Sequence, residues 1–263
     1  MSAIPLVADI ELFGLIFARL TVMIMLFPIF GYSMLPVHYR LGLSFFLALL
    51  LFPILKPVFI EPQIKNMFDF FWLMFKEAGI GAMIGFFTRF LFSAVDLAGE
   101  LIDMQMGFSM VQMPNPINED EMATATGYFY ILIFAIAFLM LDGHYFLLLA
   151  VQKCFSLMPP GAVVLDINTI VPMVIKLLQN IVDIAIRISA PIMIVMIITT
   201  FALGIIAKTM PQMNVFVVGM PLKIGIGLVL MAATLPVMVQ FFSAMVKQMY
   251  VDIWALLFKM AGS

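Results

Sequence analysis

The sequence predicts an all-α membrane protein whose helices are broken by proline and glycine, and three observations carry that prediction. The first is composition: of 263 residues, 65% are hydrophobic and 11% charged, with a mean hydropathy of +1.18. A soluble domain is about 45–50% apolar and about 25% charged. Much of its surface must face water, so a chain this apolar cannot hide itself in one soluble core. The second is the length of the apolar runs, which fall at about 12–29, 41–55, 68–95, 127–151, 188–207 and 224–246. A spanning helix needs about 20 apolar residues, so hydropathy alone gives about six spans. The third is the lack of alternation: FFLALLLF at 45–52 is apolar on both faces, unlike the in-out pattern of a membrane barrel.

Several function classes fall away on the same evidence. Cys154 is the one cysteine, so there is no disulfide framework. With 13 Lys plus Arg against 15 Asp plus Glu, no basic surface for nucleic acid is expected. H-E-x-x-H, G-x-S-x-G, the phosphate-cradling G-x-x-x-x-G-K-[ST] and paired cysteines are all missing. The expectation is therefore a non-enzyme with no cofactor and no metal, built as a single unit over 1–263. No basic residue precedes Arg19, so the first apolar segment reads as retained rather than as a cleaved signal.

The runs are not clean. Glu11 and Arg19 flank or interrupt the first, Lys76, Glu77 and Arg89 lie in the third, and Asp142 and His144 divide the fourth. Lys176, Asp183 and Arg187 closely precede the fifth, and Pro28, Pro53, Pro172, Pro191 and Pro236 sit in or beside apolar stretches. Each charge at a helix centre costs about 2.5–3.5 kcal/mol on insertion scales. Such residues face protein or water rather than lipid.

The longest non-hydrophobic interval is 96–126, DLAGELIDMQMGFSMVQMPNPINEDEMATAT. Asp96, Glu100 and Asp103, spaced i, i+4, i+7, share one helical face, with Arg89 placed to neutralise part of it. This cluster reads as an ion path, a partner contact or a solvated helix end. Met104, Met106, Met110 and Met113 follow, with Gly107, Phe108 and Pro114 among them. Thioethers adapt to varied shapes, so the segment reads as a deformable seal lining a pore, with ordinary packing as the plainer alternative. Asp142-Gly143-His144 reads as a helix break with a capped turn; proton transfer or metal binding is the weaker reading, because no second His lies nearby. Gly81 and Gly85 form a small-xxx-small stripe that permits close helix approach.

Residues 188–227 read ISAPIMIVMIITTFALGIIAKTMPQMNVFVVGMPLKIGIG. Ala190-Pro191, then Lys208, then Pro211-Gln212-Met213-Asn214-Val215-Phe216, then Gly219 and Pro221-Leu222-Lys223 closely resemble the FliR family, export-gate proteins of flagellar and virulence type III secretion systems. Other blocks agree in order: Pro28 to Gly31, Pro36, Ala98-Gly99-Glu100 through Gln105-Met106-Gly107, Gly143-His144 and Pro159. The family usually has Arg at Lys208, and often Asn at Asp142 and Ser near Cys154, so those side chains carry no unique chemistry.

The resemblance implies bent helical hairpins packed in a hetero-oligomeric helical gate with FliP-type and FliQ-type subunits and an FlhB-type switch subunit. It implies unfolded export substrates as cargo and the bacterial inner membrane, within the flagellar basal body or type III export apparatus, as location; between flagellar and virulence use the overall pattern leans flagellar. It also maps a channel plug to about 106–118, so Met106, Gly107, Phe108, Met110, Met113 and Pro114 are its candidates. Gly143, His144, Pro191, Pro211, Gln212, Asn214 and Pro221 are its structural motif residues. The rival from another class is a secondary transporter or ion channel coupled through Arg89, Asp96, Glu100 and Asp103.

Overall fold

The computed structural model describes residues 5–27, 36–58, 66–108, 125–160, 167–210, 212 and 214–260. Among them are seven α-helices and no strand: α1 (Pro5–Leu26), α2 (Val37–Leu55), α3 (Met67–Met106), α4 (Ala125–Met140), α5 (Gly143–Leu157), α6 (Ile167–Thr209) and α7 (Val215–Met260). A 3-10 turn, Lys56–Val58, extends α2. The all-α prediction holds. Backbone groups bonded within helices leave nothing unsatisfied for lipid to meet, which is why apolar chains take this form.

As far as they are described, the apolar runs lie on helices, but they are not six equal spans. Four helices, α2, α3, α6 and α7, are long and apolar enough to cross a membrane, or five spans if α4 and α5 count as one bent pair. The shortfall is α1, whose 22 residues include Asp9, Glu11 and Arg19. The run at 127–151 is divided by a 64° bend. Asp142 sits there at φ 56°, the left-handed region that few side chains tolerate. The helix break expected at Asp142-Gly143 is present; the side-chain cap is not, since Asp142 makes no capping hydrogen bond. The Phe146 N–H instead bonds to the Asp142 carbonyl at 3.0 Å.

Some prolines lie within helices. Pro53 lies inside α2, and Pro221 and Pro236 inside α7. An internal proline removes one backbone bond, a loss that neighbouring groups absorb in membrane helices. Several hydroxyls are satisfied within their own helix: Ser44, Ser189, Thr199, Thr200 and Thr234 each donate to a carbonyl four residues back, at 2.8–2.9 Å.

The chain forms two compact units. The first holds residues 1–90, 142–177 and 247–263. Its centre is the inner stripe of α1, Leu12, Leu15, Ile16, Arg19, Leu20, Met23 and Ile24, buried at the three- and four-residue spacing of one helical face, with Phe27 buried just beyond its end. Phe13 and Phe17 of α1 meet Phe45 of α2 edge-on at 5.2 and 6.1 Å, and Lys56 closes that seam with a 2.7 Å bond to Asp9. Gly81 and Gly85 set the approach of α3 to α1. A Cβ on Gly81 would lie 2.1 Å from the Arg19 carbonyl oxygen, and one on Gly85 2.7 Å from the Leu26 Cβ. The small-xxx-small stripe is therefore a backbone contact.

The second unit holds residues 91–141 and 178–246. Phe92 of α3 packs edge-on against Phe134 and Phe138 of α4, at 4.7 and 5.9 Å, and Phe134 meets Phe242 of α7 at 5.2 Å. Such pairs add about 0.5–1.5 kcal/mol each beyond area burial. From α6, Ala185, Ile188, Ser189, Ile192, Met196 and Leu203 are buried. A Cβ on Gly99 of α3 would lie 2.1 Å from the Gly127 Cα, so α3 and α4 cross backbone to backbone.

Candidate functional site

Each unit has a polar centre that the apolar packing closes off. In the first, Arg19 of α1 is 1% exposed and Glu77 of α3 equally so. Arg19 Nε donates to Glu77 Oε2 at 2.6 Å, and Nη2 forms an ion pair with the same oxygen. Nη1 reaches Cys154 Sγ at 3.4 Å, and Nη2 also donates to the Met158 carbonyl at 3.1 Å. The guanidinium lies 4.2 Å over the Phe155 ring. One arginine thus ties α1 to α3 and α5 with every side of its planar head in use. An isolated charge would not survive this burial; paired and bonded, it does.

In the second unit the centre is Asp103, 1% exposed in the last turn of α3. Its Oδ2 accepts the Thr126 N–H at 3.0 Å, and its Oδ1 accepts the Thr126 hydroxyl. Thr126 belongs to the first turn of α4, where N–H groups lack helical partners and carry the positive end of the helix dipole. Asp103 therefore caps α4 from a different helix.

Beyond Asp103 the end of α3 is pinned. Met106 is fully buried, and Gly227 of α7 leaves the space it fills: a Cβ there would lie 2.4 Å from Met106 Cε. Gly107 then turns the chain at φ 88°, with its N–H on the Asp103 carbonyl at 3.0 Å. This is the left-handed helix ending that glycine supplies. Phe108 is half-buried. Beside it, Gln105 shares with Phe201, Gly204 and Lys208 an apolar groove of about 360 Å³.

The other residues singled out from sequence are placed as follows. Arg89 is exposed, while Asp96 and Glu100 are half-buried. Gly143 is buried as the first residue of α5, and His144 beside it is exposed. Pro191 and Pro221 are exposed within α6 and α7, and Gln212 and Asn214 are exposed between those helices. Met110, Met113, Pro114 and Pro211 lie outside the described residues. Among the described residues no three His, Cys, Asp or Glu side chains converge as a metal site would require. From sequence Arg19 and Glu77 read only as interruptions, and Thr126 only as the end of a polar interval. A usable signal was there for the first pair, since opposite charges in two apolar runs each need a partner.

Residues 10–249 match the family described as Bacterial export proteins, family 1. The chain is 30% identical over 228 residues to the flagellar biosynthetic protein FliR of Bacillus subtilis (strain 168), covering 86% of each chain. It is 31% identical over 220 residues to the FliR of Aquifex aeolicus (strain VF5), covering 83% of each. With the FliR of Escherichia coli (strain K12) the identity is 29% over 225 residues, 85% of this chain and 84% of that one. A match of this extent, on an all-α chain with four or five candidate spans, makes this protein a member of the FliR family of bacterial export proteins.

Proposed function

We propose that this chain is a non-enzymatic subunit of the type III, flagellar protein export gate, where it helps to form and seal the channel through which unfolded substrates leave. The observation that carries this reading is the family match over residues 10–249, together with relatives named as flagellar biosynthetic proteins along more than four-fifths of their length. The gate sits in the bacterial inner membrane, within the flagellar basal body. Its neighbours are FliP-type and FliQ-type subunits and an FlhB-type switch subunit.

The seal is the stretch that begins at Met106, Gly107 and Phe108 and continues in sequence through Met110, Met113 and Pro114. Flexible thioether and phenyl groups can close against one another when the channel is empty and yield around a passing chain. Arg89, Asp96 and Glu100 serve contact with partner subunits. Gly143, His144, Pro191, Pro211, Gln212, Asn214 and Pro221 shape the helices that carry the seal.

The test is to delete 110–113 in the host bacterium and to recover the complex with the tagged chain. Partner subunits should co-purify with the variant as with the parent, while idle cells become permeable to small ions. A chain recovered as a lone monomer, or a deletion that assembles and stays tight, overturns the reading.

A further inference from the structure

We propose that Asp103 is a positioning residue for the seal, acting as a clamp that holds together the two points where the chain leaves α3 and rejoins at α4. The inference rests on the seal reading above and adds a specific device to it.

Three observations on α3, α4 and α7 carry it. First, the Asp103 carboxylate bonds across to the start of α4 from the turn where α3 ends, a turn whose main chain is closed by an ordinary helical bond. The Asp103 carbonyl accepts the Gly107 N–H at 3.0 Å on the outgoing side, and the carboxylate takes the Thr126 N–H at 3.0 Å and the Thr126 hydroxyl on the returning side. Those partners are 23 residues from Asp103 on one side and four on the other. Second, the clamp is set on a base that cannot slide. One turn before Asp103, on the same face, Gly99 meets Gly127 backbone to backbone, so the α3–α4 separation is fixed by main-chain atoms. Third, the outgoing direction is fixed as well. Met106 fills the space that Gly227 leaves open, and Gly107 takes a φ of 88° that turns the chain out of α3.

A helix start needs an acceptor for its free N–H groups, but the usual source is the residue just ahead of it. Here the acceptor is a carboxylate on the helix at the other end of the connection, buried where an unmatched charge would be costly. A cap of that kind does more than finish α4. It converts two separate chain ends into one anchored foot, so whatever lies between them starts and finishes at a set spacing. Loosening the foot should leave the helices packed through Phe92, Phe134 and Phe242 while the two chain ends lose their set spacing.

The experiment uses the full chain in its native host, with the partner subunits present. The variants are Asp103→Ala, Asp103→Asn, Thr126→Val and the conservative Thr126→Ser, with deletion of 110–113 as the reference. Each is scored for recovered complex, for ion leak in idle cells and for export of a flagellar substrate. Asp103→Ala and Thr126→Val should assemble in parental amounts yet leak severalfold more than the parent. Thr126→Ser should stay tight, because it keeps the hydroxyl and the N–H, and Asp103→Asn should fall between. A merely structural bond would alter yield and not leak. The clamp is overturned if the deletion leaks while assembled Asp103→Ala and Thr126→Val stay tight. It is also overturned if both variants lose the complex, or if Thr126→Ser leaks as much as Thr126→Val. A deletion that does not leak sinks the seal reading itself, and the clamp with it.

Discussion

The two buried polar centres answer the same problem in different ways. At Arg19 a full positive charge faces a full negative charge on Glu77, and the remaining guanidinium donors reach Cys154 Sγ and the Met158 carbonyl. At Asp103 a single carboxylate faces neutral donors, a backbone N–H and a hydroxyl at the start of a helix. Removing Arg19 takes the cation from a buried carboxylate; removing the Asp103 carboxylate leaves two neutral donors. The difference teaches where stability is concentrated. The Arg19 centre holds three helices of one unit together, while the Asp103 centre settles a local geometry that its unit could survive without.

The sharpest way to break that contrast is Arg19→Ala. It leaves Glu77 buried without its cation and should cost about 3–5 kcal/mol, seen as loss of folded protein or a steep fall of the thermal midpoint in detergent. The double variant Arg19→Leu with Glu77→Leu should recover most of that, because apolar replacement of a whole buried pair is often neutral or stabilising. Asp103→Ala should cost less, about 1–3 kcal/mol for unsatisfied neutral groups. If Asp103→Ala proves the more damaging to thermal stability, the ranking of the two centres is wrong.

Glycine substitutions sharpen the comparison next, since each centre sits beside a close helix crossing. Gly81→Ala and Gly99→Ala both drive a methyl group to 2.1 Å from main-chain atoms, the Arg19 oxygen and the Gly127 Cα. Backbone cannot yield cheaply, so both should reach or exceed the ~3 kcal/mol upper end of overpacking costs. Gly227→Ala is the control. Its added methyl first meets side-chain atoms of Met106, a flexible group, rather than backbone, so yield and midpoint should drop less. Equal losses at Gly99 and Gly227 would mean that the backbone contact at α3–α4 is not what holds the second unit.

How much of this was legible in the sequence follows from the range of each interaction. Helical class was readable because apolar runs and the lack of alternation are local properties. Position 142 was readable as a break because Asp-Gly interrupts an apolar run, yet its left-handed φ depends on how the chain must turn there. Gly81 and Gly85 were visible as small residues, but only the structure reveals that their partners are Arg19 and Leu26. The Arg19–Glu77 pairing spans 58 residues, a separation at which no periodicity carries information. Asp103 was seen as one of three acids on a helical face; its true partner, Thr126, lies on a different helix, and face geometry cannot point there.

A milder test concerns the bend that closes neither centre. Asp142 adopts φ 56° without a side-chain cap to compensate. Asp142→Gly should therefore keep the 64° bend and gain up to about 1 kcal/mol. A β-branched Asp142→Val should lose at least as much, since it tolerates that conformation worst. Midpoints of the two variants measured side by side, in the same detergent, would show the opposite signs. Matching shifts would mean that the turn relaxes to an ordinary conformation in solution.

The smallest effect belongs to the exposed pair Asp183 and Arg187 on α6, bonded at 2.8 Å with side chains 61% and 65% exposed. It is the surface counterpart of the Arg19 pair, with similar chemistry but open surroundings. In the isolated chain Asp183→Ala should change stability by no more than about 0.3–0.5 kcal/mol, further screened by salt. Yet this pair lies in a helix counted among the candidate spans, where lipid would penalise each charge by about 2.5–3.5 kcal/mol. Leu178, Val182 and Ile186 beside it are exposed as well. A mixed apolar and charged face of this kind suits a protein neighbour better than lipid. Asp183→Ala should therefore leave the isolated chain's midpoint unchanged and reduce recovery of the assembled complex. Equal recovery in both settings would place that face in water instead, and would leave Arg19–Glu77 as the one ion pair of the two on which assembly depends.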